Sequence, residues 1–219
     1  MTKAIRLVIF DLDGTLVDSS LDITNALNYA LGPFGFKKMT AGETIGLVGE
    51  GLSRLIEKVV GNEKAAIIPQ VQDRFIRYYS EHLADFTVPY NGVRETLQRL
   101  GDIKKAVISN KRESLSKNLL EKLRLASFFD IVLGSDSVVH KKPSPEPVLK
   151  VLDALGVRPE ETVIVGDSGY DIDAGKAASV KTIAVSYGFR DRKFLGSADR
   201  IIDSIEELIP ILLEMNSDA

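Results

Sequence analysis

The 219-residue chain sets 28 Lys and Arg against 31 Asp and Glu, a formal net charge of -3, with 44% of its residues hydrophobic. It can therefore bury a sizeable core, and it carries no electrostatic footprint for nucleic acid or an anionic membrane surface. With no cysteine and only two histidines, disulfides and thiolate centres are excluded and an imidazole-rich centre is disfavoured, so a metal would be held by oxygen.

At the N-terminus, Met1 to Arg6 leads toward the first apolar run without a long signal region, and no apolar run reaches membrane-spanning length. A cytoplasmic protein is expected. Short apolar, β-branched runs at 5–10, 104–109, 131–134, 162–166 and 181–185 are separated in several cases by helical periodicity, which predicts a parallel sheet with covering helices.

The first run ends in Asp11-Leu12-Asp13-Gly14-Thr15. A strand covered on both faces does not place two carboxylates in the core, so this pair is expected to line the crevice above the sheet. Side chains alternate along an extended chain, which puts Asp11 and Asp13 on one side unless the backbone bends at Gly14. The pair suits a hard cation, with Asp11 as an oxygen nucleophile toward phosphorus and Asp13 as general acid and then base. Taken alone, the same five residues fit a strand-end turn with exposed acids.

Residues 17–88 show no alternating strand but contain helical segments at 21–31, 52–60 and 69–83. A crossover needs only about a dozen residues, so this stretch predicts an extra helical lobe. Pro89-Tyr90-Asn91-Gly92 is the expected re-entry turn, with Asn91 as cap of a helix beginning near Val93. The core is accordingly set at 1–16 and 89–219 and the helical cap at 17–88.

Next, the run ending in Ser109-Asn110-Lys111 places a hydroxyl and an amide where they can meet an anion, although Ser109 also fits as N-cap of the following helix. That helix shows a leucine face at Leu115, Leu119, Leu120 and Leu123, and a second face recurs at Val148, Leu149, Leu152 and Leu155. Between them, Lys142 stands in a proline-bounded turn, Lys141-Lys142-Pro143-Ser144-Pro145, that can aim its ammonium at a fixed point or leave it solvated. His140 is a turn residue.

A further run enters Gly166-Asp167-Ser168-Gly169-Tyr170-Asp171. Asp167 at the strand end and Asp171 in the first helical turn can both face a divalent cation, while acids at a helix N-terminus are also ordinary dipole partners. Asp173 is assigned to the surface. Oxygens from Asp11, Asp13 and Asp167 suit octahedral magnesium better than calcium. No phosphate-cradle Gly-x-x-x-x-Gly-Lys-Ser/Thr or dinucleotide Gly-x-Gly-x-x-Gly is present. The tail at 216–219 is polar and expected to fray.

In this order, Asp11-Leu12-Asp13-Gly14-Thr15, Ser109-Asn110, Lys142 in Lys142-Pro143-Ser144-Pro145, and Gly166-Asp167-Ser168 with Asp171 resemble the four motifs of the haloacid-dehalogenase-like hydrolase superfamily. The resemblance is to its phosphoglycolate-phosphatase-like branch, with a helical cap inserted after the first motif. It implies a doubly wound, Rossmann-like parallel-sheet α/β core with an inserted all-helical cap domain. It further implies Asp11 as the nucleophile that becomes aspartyl-phosphate and Asp13 as general acid and base whose carbonyl also ligates Mg2+. Asp167 is then a metal ligand and Asp171 supports the metal shell. Thr15 assists near Asp13, Ser109 and Asn110 bind the phosphoryl group, and Lys142 neutralises charge.

The stretch Gly46-Leu47-Val48-Gly49-Glu50-Gly51-Leu52-Ser53-Arg54 resembles the glycine-bearing cap loop of phosphoglycolate phosphatases. Gly49 would admit a small anion to backbone amides and Arg54 would reach a carboxylate, or the segment is a helix-helix turn with Arg54 in solvent. The implied partner is a small phosphorylated metabolite, with phosphoglycolate first, acted on by a monomer or homodimer. A β-phosphoglucomutase-like phosphomutase, a sugar-phosphate phosphatase or a pyrophosphatase would use the same core. A phospho-acceptor module of the receiver type has its motifs in a different order.

Overall fold

A computed structural model describes residues 4–217, in which the apolar runs form one six-stranded parallel sheet. Its strands are β1 (Leu7–Phe10), β2 (Lys104–Ile108), β3 (Ile131–Leu133), β4 (Thr162–Gly166), β5 (Lys181–Val185) and β6 (Arg200–Ile202), in the order β3-β2-β1-β4-β5-β6. The order reverses at β1, whose Phe10 lies opposite Val107 on one side and Val165 on the other. In open α/β sheets such a reversal opens a crevice at the carboxyl ends of the strands.

Two compact units divide the chain, Met1–Asp18 with Pro89–Ala219, and Ser19–Val88. In the first, the sheet is buried on both faces. Leu7, Ile9, Ala106, Ile108 and Ile164 pack on one face against Val148, Val151 and Leu152 of α7 (Glu146–Leu155) and Ala174 of α8 (Gly169–Ala177). Val8, Phe10, Val107, Val163 and Val165 have the opposite parity and are fully buried too, as a strand covered on both sides requires. The remaining helices of this unit are α5 (Val93–Arg99), α6 (Glu113–Lys122) and α9 (Leu208–Ser217).

The second unit consists of α1 (Ser20–Leu31), α2 (Ala41–Ile45), α3 (Leu52–Val60) and α4 (Ile68–Glu81), with short 3-10 turns between them. Ile23, Leu27, Leu55, Ile56, Phe75 and Tyr79 are buried in it. The buried Asp22 carboxylate accepts hydrogen bonds from the Thr87 N–H at 2.8 Å and hydroxyl at 2.7 Å, tying the start of α1 to the end of the unit. Among the described residues no helix is long and apolar enough to cross a membrane.

Several local expectations shift. Gly92, at φ +78°, and not Asn91, occupies the position before α5, where a Cβ would meet Glu206 Cγ at 2.6 Å. Leu149 is 47% exposed while Val151 is buried, because the inward stripe of α7 runs through Pro147, Val148, Val151 and Leu152. The short helix α2 escapes a periodicity search by its length but carries a reciprocal Thr40/Glu43 cap. Strand β6 is a three-residue edge that begins on an arginine, too brief to show alternation. Part of the 216–219 tail lies outside the described residues, and α9 continues to Ser217.

Candidate active site

β1, β2 and β4 lie side by side and end level, so the residues beyond each strand end are delivered to one crevice. Asp11 is anchored as β1 ends, its N–H donating to the Val165 carbonyl at 2.9 Å. The chain then turns sharply, with the N–H groups of Leu16 and Val17 both donating to the Leu12 carbonyl at 3.0 and 3.1 Å. Gly14 makes the turn at φ +86°, and a Cβ there would fall 2.3 Å from Asp167 Oδ2. Both the backbone sign and the space therefore require glycine. This bend separates Asp11 from Asp13, as the glycine allowed.

Lys142 sits at the centre. Its Nζ donates to Asp11 Oδ1 at 2.8 Å, to Asp171 Oδ1 at 2.5 Å and to the Ile108 carbonyl at 2.7 Å, with the side chain only 3% exposed. Three acceptors around one ammonium fix it as a buried cation rather than a solvated turn residue. The Asn110 side-chain amide donates to the Lys142 carbonyl at 3.0 Å, so the loop after β2 holds the lysine's backbone. Burial pulls the Lys142 ammonium down, but Asp11 and Asp171 outweigh it and the net shift is upward.

Asp171 also accepts from Ser168, at 3.2 Å from the N–H and 2.6 Å from the hydroxyl, closing the reciprocal cap of α8. Asp171 thus stands in the first turn of α8, where it closes the cap, and also contacts Lys142 in the cluster. Oxygens of Asp11, Asp167 and Asp171 all lie within 4.8 Å of one another. Asp167 is held by the Phe189 N–H at 2.7 Å. Burial pushes Asp11 up to about 7, with the Asp171 and Asp13 charges adding to it and Lys142 opposing. Asp167 is likewise raised, first by burial and then by Asp11 and Asp171. Buried carboxylates that repel one another make a site that a hard divalent cation relieves, and an all-oxygen donor set suits magnesium. The residues present therefore fit that ion.

Asp13 stands apart from this triad, its Oδ1 accepting from Lys111 Nζ at 2.7 Å. Sequence reasoning named Lys111 without assigning it a role, because the pairing spans adjacent strands and leaves no local pattern. It also passed over the 187–189 loop, where Tyr187 donates to the Thr15 carbonyl at 2.9 Å and Gly188 makes room beside Asp167. The Tyr-Gly-Phe run just beyond β5 was the available signal. Ser109 does not cap a helix, since α6 begins at Glu113 after Arg112; its Oγ instead accepts from the Lys111 N–H at 3.1 Å. The Thr15 hydroxyl is fully buried with no hydrogen-bond partner among the described residues. In the helical unit, Arg54 pairs with Glu57 at 2.7 Å and Glu50 at 3.7 Å and is largely exposed, while Gly49 adopts φ +122°.

The parallel sheet reversing at β1 is a doubly wound α/β core with an acid-lysine cluster at its carboxyl edge, and the chain belongs to the haloacid dehalogenase-like hydrolase family, whose sequence model matches residues 8–185. Within that family it is similar to the phosphoglycolate phosphatase of Aquifex aeolicus (strain VF5), 41% identical over 186 residues, covering 84% of this chain and 86% of that protein. The phosphoglycolate phosphatase of Chromobacterium violaceum is 38% identical over 217 residues, covering 96% and 97%. Among solved structures, one described as a predicted phosphoglycolate phosphatase from Haemophilus somnus 129PT superposes with a TM-score of 0.88 at 27% identity, covering 94% of this chain and 97% of that one.

Proposed function

We propose that this protein is a magnesium-dependent phosphomonoester hydrolase that works through an aspartyl-phosphate on Asp11, with 2-phosphoglycolate as its first candidate substrate. The observation that carries this is the Lys142 ammonium shared between Asp11 and Asp171 beside Asp167. It supports the reading because a carboxylate nucleophile attacking an anion needs a fixed positive charge beside it. Similarity to curated phosphoglycolate phosphatases supports the choice of substrate.

Asp11 and Asp167 would hold the ion with their carboxylates and Asp13 with its carbonyl, while Asp171, fixed by Lys142 and Ser168, supports that shell. Bound there, magnesium supplies positive charge to the phosphoryl oxygens. The Asp11 carboxylate attacks phosphorus and the bond from phosphorus to the ester oxygen breaks. Asp13 gives its proton to that departing oxygen. Water then attacks phosphorus, Asp13 takes its proton, the bond to Asp11 breaks and inorganic phosphate leaves. Thr15, Ser109 and the Asn110 amide are assigned to the phosphoryl group. The helical unit is assigned as the cap, and Gly49 and Arg54 as its candidate substrate-binding residues.

Phosphate release from 2-phosphoglycolate and from a panel of sugar phosphates and pyrophosphate, with magnesium or with EDTA, tests this. Release should require magnesium and fall by at least about 10³-fold in Asp11→Asn with the fold intact. Turnover retained in that variant, or sugar-phosphate isomerisation faster than phosphate release, would overturn it.

A further inference from the structure

Lys111 is the one buried ammonium at the carboxyl edge of the sheet, among the described residues, that the hydrolytic chemistry leaves without a task. Its side chain is 8% exposed and its Nζ lies 2.7 Å from Asp13 Oδ1, itself on a side chain 10% exposed. The backbone that launches it is clamped on both sides: its N–H donates to Ser109 Oγ at 3.1 Å and its carbonyl accepts from the Ser135 N–H at 2.8 Å. The two partners sit three residues beyond the ends of neighbouring parallel strands, Asp13 after Phe10 and Lys111 after Ile108, in a register fixed by Phe10 opposite Val107. A long, rotamer-rich side chain is thus held at its base by hydrogen bonds and at its tip by a carboxylate. An exposed lysine pair of the same length would lose most of its Coulomb gain to solvent and side-chain entropy, whereas a buried, charge-assisted pair holds its geometry.

We propose that Lys111 is a positioning residue for proton transfer: by donating to Oδ1 of Asp13 it fixes the orientation of the carboxyl group that gives its proton to the ester oxygen and later takes the proton of water. This rests on the phosphomonoester hydrolase reading. The step itself is unchanged: the bond from phosphorus to the ester oxygen breaks as that oxygen gains the Asp13 proton, and the same carboxylate regains a proton from the attacking water. What Lys111 contributes is orientation, and a misplacement of about 1 Å in such a group costs on the order of 10²-fold.

The experiment compares two esters that differ in their need for a proton. The alkyl ester 2-phosphoglycolate must have its leaving oxygen protonated, whereas p-nitrophenyl phosphate expels a stable phenolate. Lys111→Met should lower kcat on 2-phosphoglycolate by about 10- to 100-fold with KM changed by less than about threefold. The single-turnover burst of nitrophenolate should fall by less than about threefold, since that step needs no acid. Lys111→Arg should recover most of the loss, and adding Lys111→Met to Asp13→Asn should cost nothing further, as expected of two residues acting through one group.

Equal losses on both esters, a raised KM with kcat intact, or a full additional loss in the Asp13→Asn background would overturn the assignment and leave Lys111 a structural residue. Circular dichroism melts check the fold, and Lys111→Gln carries the same comparison should Lys111→Met fail to fold. Absence of magnesium-dependent turnover of either ester by the unsubstituted protein would instead overturn the hydrolase reading and this inference with it.

Discussion

Asp11 shows how burial, with neighbouring acids adding and Lys142 opposing, shifts a carboxyl at a strand end. Its carboxyl is raised from 3.8 to about 7, chiefly by desolvation, so a divalent ion would compete with protons for it below that pH. A carboxyl whose folded value is raised contributes stability below its unfolded value, near pH 4, and loses that contribution as pH rises through about 7. The metal-free protein should therefore weaken over that window, while its affinity for magnesium strengthens and then levels off above about pH 7. Titration calorimetry in buffers of different ionisation enthalpy should detect proton release on binding at pH 6, and much less in Asp11→Asn. A pH-independent affinity between pH 5 and 8 would contradict the coupling.

At this scale much was legible. Asp11, Asp167 and Ser109 were readable because each stands where an apolar run stops, and a polar residue at a buried strand's end has only the crevice to enter. The Asp13–Lys111 pair was not, because it depends on which strands become neighbours and in what register. No spacing within either segment encodes that. Asp171 was readable as an acid in the first turn of a helix, and the structure joins its two oxygens to Lys142 and to Ser168.

Among the elements, β4 and α7 show how inward and outward positions divide. Ile164 is 1% exposed within the cluster beneath α7 and α8, whereas Leu149 on α7 is 47% exposed. Removing buried aliphatic atoms loses transfer energy and leaves a cavity, so Ile164→Ala should destabilise the protein by about 2–5 kcal/mol. Leu149→Ala should stay within about 0.5 kcal/mol. Urea unfolding should show the difference as a lower midpoint with an unchanged slope for the first variant only. Strands β1, β4 and β5 were plain in the sequence because both their faces are buried and most of their residues are apolar. The short α2 and the edge strand β6 were not, since each spans too few residues for a period to declare itself. The exposed Leu149 was misplaced because a leucine one step off the stripe looks the same as one on it.

For the whole molecule, an ion held by the cluster would couple its binding to the stability of the sheet-bearing unit. An ion that binds only the folded chain stabilises it by about 2.7 kcal/mol at one hundred times its dissociation constant. Magnesium should therefore raise the midpoint of thermal unfolding in the unsubstituted protein and leave Asp11→Asn nearly unmoved, a difference that scanning calorimetry reads directly. An equal rise in both would place the ion elsewhere.

The salt bridge from Lys142 to Asp11 joins positions 131 residues apart, and the partner Asp171 lies later still. During synthesis, the first acid of the cluster leaves the ribosome long before the groups that restrain it. The complete cluster needs both β2 and β4 beside β1, and contacts of such long sequence separation form late and slowly. The groups that ring Asp11 are therefore all available only once Asp171 has emerged.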